Sequence, residues 1–363
     1  MRSWVIDLLK FLGAQCIVIH HLMAHGPMSD VLEHEYPNLV DALFNYLRLA
    51  VPMFLVVAGF LAAQSLSRAR GTPITELLVK RYLRLAPLYL FCLLVCIAVV
   101  HALGAVVNED WIPEPVTWSQ LLAHALMLQG VLHEPSISAG VWYVAIDFQL
   151  FALVALLACV CRDAGSVSIK LSANFMWAVA AVCVSSLWWF NRIEALDDWA
   201  IYFMGAYGLG LLAHFATQFK NTRPLFYAVW LLGATSLCLS WRSRLVVALI
   251  STALLFLFAD HGGNALSRSF KRGLSLLGNA AYATFLSHFA LVIVFSAIWN
   301  MAHLHGLLWA VLMVLMCWFT ALAWGLALHR WVESSLNRAT YSSASWWTRW
   351  IRWGAASQAS KAG

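Results

Sequence analysis

Four ionisable side chains fall inside one apolar stretch near the N-terminus, WVIDLLKFLGAQCIVIHHLMA: Asp7, Lys10, His20 and His21. A charge in hydrocarbon costs several kcal/mol unless it is paired or hydrated, so such residues are functional candidates by default. Lys10 and His21 are eleven positions apart, and eleven steps of about 100° close three turns with about 20° over, so both project from one helix face. Gly13, Ala14 and Ile17 lie along that face and leave a narrow strip between them. At 1.5 Å per residue the two groups stand about 16 Å apart along the axis. The arrangement suits a long substrate that is anionic at one end and reactive at its tip. Lys10 neutralises and anchors it, oriented by Asp7 one turn earlier. His21, with an ordinary pKa of about 6.5, accepts a proton at neutral pH. The plainer readings are a snorkelling lysine and a satisfied structural histidine; His20, about 100° away, takes the structural one.

Further candidates follow along the chain. KRYLRLAP brings Lys80, Arg81 and Arg84 together before Pro87; guanidinium groups suit phosphate, although retention of positive charge on the cytoplasmic side explains such clusters too. GVWYVAIDFQLF carries Trp142, Asp147 and Gln149, LGNAAYATFLSHF carries Tyr282 and His288, and HRWVESSL carries Glu333. Interhelical hydrogen bonding, or a solvated charge for Glu333, is the competing reading of these. The eight cysteines form no Cys-x-x-Cys pair, so neither a metal nor a disulfide framework is expected. No serine or cysteine sits in a nucleophile elbow and no glycine-rich phosphate loop follows a strand.

The elements that must position these residues are membrane spans. Of 363 residues, 62% are hydrophobic and 11% charged, against roughly 25% charged in a soluble domain. That composition excludes a water-soluble globule. The net charge of +6 has no polar face on which to meet nucleic acid, so no nucleic-acid partner is expected. Apolar runs long enough for the bilayer occur at about 5–23, 43–64, 86–103, 141–161, 173–190, 199–216, 225–241, 245–259, 276–299 and 307–331. The fold class is all-α, a polytopic membrane protein of about ten transmembrane helices. Segment 121–132 is apolar but short and reads as an interfacial or re-entrant helix. With the N-terminus inside, 18 of 23 basic residues face inward and only Arg192, Arg242 and Arg244 lie in outer loops, so both termini are expected in the cytoplasm. Asp7 and Lys10 interrupt what would otherwise be a signal-peptide core before Ala24-His25-Gly26, and the first run is read as retained. A membrane domain over 1–331 is followed by a tail, 332–363, whose Trp346, Trp350 and Trp353 oppose Arg349 and Arg352 as an interfacial helix. Outer loops 26–41 and 104–140 carry Tyr36, Trp111, Trp118 and several carboxylates, which fits a sugar, as it also fits an interfacial aromatic belt.

Taken in order, these pieces resemble the acyltransferase-3 family of integral membrane O-acyltransferases. The family's first span carries a basic residue and a histidine separated by ten residues, here Lys10 and His21, with Lys in place of the more usual Arg. VPMFLVVAGFL resembles its FFVLSGFL stretch, with Ala58 in place of Ser. KRYLRLAPLY resembles RRxxRIxPxY, and VWYVAIDFQLF resembles WSLSVEEQFYL, with Asp147 and Phe148 replacing two Glu. LGNAAYATFLSHF is similar to LGxxSYxxYLxH, and HRWVESSL to YRxxExP without its Pro.

The resemblance implies a standalone O-acetyltransferase in the bacterial inner membrane. Its co-substrate would be cytoplasmic acyl-CoA, usually acetyl-CoA, with no tightly bound cofactor. The acceptor would be a surface or lipid-linked glycan, exopolysaccharide foremost, and glycan synthesis or export machinery a partner alongside the lipid bilayer. On these residues Lys80, Arg81 and Arg84, with Lys10, would hold CoA. His21 would be the general base, assisted by Lys10 and Asp147, and Gln149, Trp142, Tyr282 and His288 would meet the substrates. Direct transfer and an acyl-His21 relay both remain open. The alternative function is a proton-coupled transporter of a polar or glycan-related solute, whose internal repeat is not visible in the sequence. A structural partner of a glycan-export complex is a third reading, and it needs no ladder of intramembrane charges.

Overall fold

A computed structural model describes residues 3–68, 72–105, 112–161, 172–260 and 266–336. The tail helix around Trp346 to Trp353, and Trp111, lie outside the described residues. Among the described residues the protein is all helix. The order is α1 (Trp4–Ala24), α2 (Pro27–Glu35), α3 (Pro37–Leu47), α4 (Ala50–Arg68), α5 (Ile74–Gly104), α6 (Trp118–Ala125), α7 (Trp142–Val160), α8 (Ala173–Trp188), α9 (Ala200–Gln218), α10 (Arg223–Leu239), α11 (Ser243–Phe258), α12 (Arg268–Met301) and α13 (Leu307–Leu328). Each of the ten apolar runs falls on a helix. Eight stretches, counting α3 with α4 as one, are long and apolar enough to cross a membrane. The helices α10 and α11, at 17 and 16 residues, fall short of the roughly 20 residues a perpendicular crossing takes.

Contacts fix the relative directions. Gly278 of α12 lies against the backbone of Asp7, with a built Cβ 2.7 Å from its Cα, and further along both helices His288 lies against His21; α1 and α12 therefore run parallel. The stretch from α3 into α4 runs against α1, since His20 meets Phe44 of α3 and, further back along α1, Gly13 meets Phe54 of α4. α9 is antiparallel to α4. There Gly59 packs on the Tyr207 carbonyl and Gly210 on that of Val56, an approach that small residues alone permit in a helix pair held by packing rather than by hydrophobic expulsion from water.

The segment after α5, expected to be interfacial or re-entrant, is a short helix followed by a turn. Thr117 caps α6 in a capping box with Gln120, and after α6 the chain turns at Met127, which is buried and has φ +56°. Backbone carbonyls freed by that turn find side-chain donors from the bundle: Tyr82 Oη–H donates to Ala125 O at 2.6 Å and Gln149 Nε2–H to Met127 O at 2.9 Å. His124 Nδ1–H donates to Gln120 O at 2.7 Å, and its Nε2 accepts the Ile137 N–H at 3.2 Å. Irregular backbone among membrane helices is tolerated where the protein satisfies it in this way.

Candidate active site

The end of α1 gathers histidines from two helices. The His21 ring lies 4.8 Å from that of His20, 5.7 Å from His25 and 5.2 Å from His288, centroid to centroid. Two of the four are tied down. His20 Nδ1–H donates to Phe44 O at 2.8 Å, joining α1 to α3, and His288 Nδ1–H donates to Phe285 O at 2.7 Å. His21 Nδ1 and His288 Nε2 are buried without a hydrogen-bond partner. Such atoms are uncommon and call for an explanation beyond packing. His25, just beyond the span, has its pKa lowered by burial.

His21 lines a cavity of about 400 Å³ together with Ile17, Tyr143, Trp142, Tyr202 and Phe285. Gly140, at φ +85°, turns the chain into α7 beside it, and a Cβ there would stand 3.1 Å from Phe285 and 3.8 Å from His21 Nε2. Only a residue without a side chain brings the backbone this close to the imidazole in this conformation. Trp142 lies 5.7 Å from Phe203 with the rings tilted by 35° and offers the cavity an apolar wall.

An aromatic cluster backs the cavity wall at Tyr143 and Phe285. Phe54, Tyr143 and Phe285 meet pairwise at 5.7, 5.8 and 5.6 Å. The strip of α1 between Lys10 and His21 is filled: a Cβ on Gly13 would meet Phe54 at 2.8 Å and Met53 at 2.9 Å, and Ala14 is fully buried. The helix-face arithmetic thus places Lys10 and His21 on one side of α1, while α4 closes the line between them. Lys10 is half-buried, one turn from the buried Asp7, and does not line the cavity.

One turn below Tyr143 on α7, Asp147 takes Arg81 Nη2 on both oxygens, at 2.8 and 2.6 Å. Arg81 also lies over the Phe151 ring at 5.1 Å, and the side chains of the pair are only 11% and 7% exposed. Asp147 is therefore engaged with Arg81 rather than with His21, and Arg81 faces the bundle interior rather than the surface. Lys80 and Arg84 are exposed on another face of α5, Lys80 pairing with the buried Glu76 at 2.7 Å.

The remaining candidates have structural partners. Gln149 serves the turn after α6 described above, Tyr282 Oη–H donates to Leu85 O at 3.0 Å, and Glu333 pairs with His329 at 2.7 Å. Of the residues that sequence reasoning placed near substrate, His21, His288 and Trp142 come together. Tyr143 was missed, although it lies four residues before Asp147 and so on the same face of α7. Among the described residues no group of three or more His, Cys, Asp or Glu is arranged to hold a metal.

Regulator of hypoxia-inducible factor 1 from Caenorhabditis elegans is 25% identical over 163 residues, an alignment that covers 40% of this chain and 32% of that protein. The match thus spans about a third of that relative's length. No solved structure matches. The sequence model of the acyltransferase-3 family, described as an acyltransferase domain, matches residues 4–328, from the first residue of α1 to the last of α13. With α1 to α13 inside that match, the chain belongs to the acyltransferase-3 family.

Proposed function

We propose that the protein moves an acetyl group from cytoplasmic acetyl-CoA to a hydroxyl of a surface or lipid-linked glycan, an exopolysaccharide foremost, in the inner membrane of a bacterium. The observation that carries the reading is His21: its Nδ1 has no protein partner, and the residue lines a cavity of about 400 Å³, room for a sugar and the tip of a pantetheine arm. His21 takes the proton of the acceptor hydroxyl as the oxygen attacks the thioester carbonyl. The C–S bond then breaks, CoA leaves as thiolate, and the proton on His21 passes to that sulfur. Tyr143, on the cavity wall, is the hydroxyl donor best placed for the developing oxyanion.

In this account α10 and α11 cross with the eight longer stretches, giving ten spans with both termini cytoplasmic. The basic-residue bias in the loops supports that orientation. The CoA phosphates meet Lys80 and Arg84 at the membrane surface, with Lys10 nearer the thioester arm, while Arg81 with Asp147 braces α5 against α7. Because Phe54 fills the α1 strip, the donor reaches His21 only when the Phe54, Tyr143 and Phe285 rings part. Glycan synthesis or export machinery supplies the acceptor. Incubating the purified protein with labelled acetyl-CoA and candidate lipid-linked glycans tests the reading: label appears in the glycan with wild type and not with His21→Ala. Labelled CoA consumed with no ester formed on any glycan contradicts it.

A further inference from the structure

Four arginines stand near the His21 end of the bundle, and the protein uses two of them as struts. Arg192 Nη2 donates to Ser236 O at 3.4 Å. Arg242 donates to Asn191 Oδ1 and Leu187 O, each at 2.8 Å, and to Ser236 Oγ at 2.9 Å. These bonds tie together the ends of α8, α10 and α11. Arg48 and Arg244 are different. Arg48, which the apolar pattern places within the second span, sits in the two-residue break between α3 and α4, and Arg244 lies in the first turn of α11. Both are exposed and both line the cavity that holds His21.

Among the described residues neither guanidinium has a carboxylate within ion-pair distance. Arg244 reaches the Tyr202 hydroxyl at 3.4 Å, and Arg48 lies 5.7 Å from the centre of the Phe44 ring. Asp197 and Asp198 line the same cavity, yet Asp198 is turned to His133 at 3.8 Å. A cation in the first turn of a helix opposes the helix dipole, and α11 begins there without a side-chain cap, as does α7 at the same cavity. Two like charges beside two positive helix ends are unfavourable alone and favourable around an anion.

We propose that the acceptor carries an anionic group, a sugar carboxylate or a phosphate, which Arg48 and Arg244 hold while Asp197 and Asp198 take sugar hydroxyls and another hydroxyl is presented to His21. As a statement about the acceptor it rests on the transferase reading, but its test does not depend on transfer. Binding to the purified full chain in detergent is measured by calorimetry, without acyl-CoA. The probes are a glucuronate-containing oligosaccharide, its neutral glucose counterpart, glucose 1-phosphate and short-chain phosphatidylglycerol. At least one anionic sugar binds about tenfold or more tighter than the neutral counterpart, as a charge-assisted pair allows. The double variant Arg48→Gln, Arg244→Gln removes that preference while its Tm stays at the wild-type value. The sugar that gains most tells carboxylate from phosphate. Absence of any anionic preference, its survival in the double variant, or tight binding of phosphatidylglycerol alone overturns the proposal; the last makes the arginines headgroup contacts. A preserved preference in a protein that never transfers acetyl would instead sink the transferase reading.

Discussion

The imidazole of His21 lies over that of His288, ring centres 5.2 Å apart and planes inclined by 24°, with α1 and α12 locked parallel by the contact of Gly278 with Asp7. A neutral aromatic face at this distance steadies a cation. The ring of His288 is held by its Nδ1–H bond to Phe285 O, so it offers that face when His21 takes a proton.

Replacing His288 separates face from nitrogen. His288→Ala lowers kcat about thirtyfold, the size of one cation–π contact of about 2 kcal/mol in a desolvated site, and leaves the KM for acetyl-CoA in place. His288→Phe keeps the face and stays within about threefold of wild type on the same grounds. Equal losses in both variants, read from initial rates, would assign the role to the unpartnered His288 Nε2 instead.

In the proposed function the cluster of Phe54, Tyr143 and Phe285 gates the donor's way to His21. Phe54→Leu loosens the cluster with Tyr143 and Phe285, so acetyl-CoA is hydrolysed by water when no acceptor is present. Free CoA released without glycan rises above the wild-type rate. Gly13→Ala acts oppositely, because its methyl meets Phe54 at 2.8 Å, and slows transfer. If neither variant changes either rate, the rings do not lie on the donor path.

The pairing of Arg81 with Asp147 has a signature of its own. Removing one member leaves the other's charge buried, which costs about 3–5 kcal/mol. Arg81→Met and Asp147→Leu each lower Tm in detergent, and the double variant recovers most of the loss. A phosphate-binding arginine at the surface would behave otherwise, with Arg81→Met raising the KM for acetyl-CoA at unchanged Tm.

Acid should loosen the turn after α6. His124, in α6 outside the long spans, has its pKa lowered chiefly by burial, against the opposing effect of its bond to Gln120. As pH falls below the ordinary histidine value of about 6.5, the unfolded chain takes up the proton before the folded one. The stability this group contributes is thus complete above that value and is lost progressively as pH falls through the lower folded pKa. Hydrogen exchange in 118–140 accelerates over that window in wild type. In His124→Asn the acceleration is reduced; an unchanged profile would remove His124 as its cause.

The helices were legible because a bilayer demands long apolar runs: nine of the ten runs fall on one α-helix each and the run 43–64 falls on α3 and α4. Direction and neighbour were not. The steps of α1 put Lys10 and His21 on one face, yet what fills the strip between them, Phe54 and Met53, comes from α4 some forty residues on. For α5 the same arithmetic, carried one step further, separates Arg81 by about 100° from Lys80 and leaves Arg84 within about 40° of it; only Arg81 turns inward. Its partner Asp147 is 66 residues away, and no local pattern announces such a pair. Arg48 was hidden by the apolar run that continues across the break between α3 and α4. Trp142 and His288, both named from the motifs, lie at the same end of the bundle as His21.

The most direct test of the account is a single-turnover assay with purified protein, acetyl-CoA labelled in the acetyl group and a lipid-linked glycan, comparing wild type with His21→Gln. The account predicts an alkali-labile acetyl ester on the glycan with wild type, and a rate lower by about a hundredfold or more in the variant, the least a general base contributes. Ester formation at the wild-type rate by His21→Gln would contradict it.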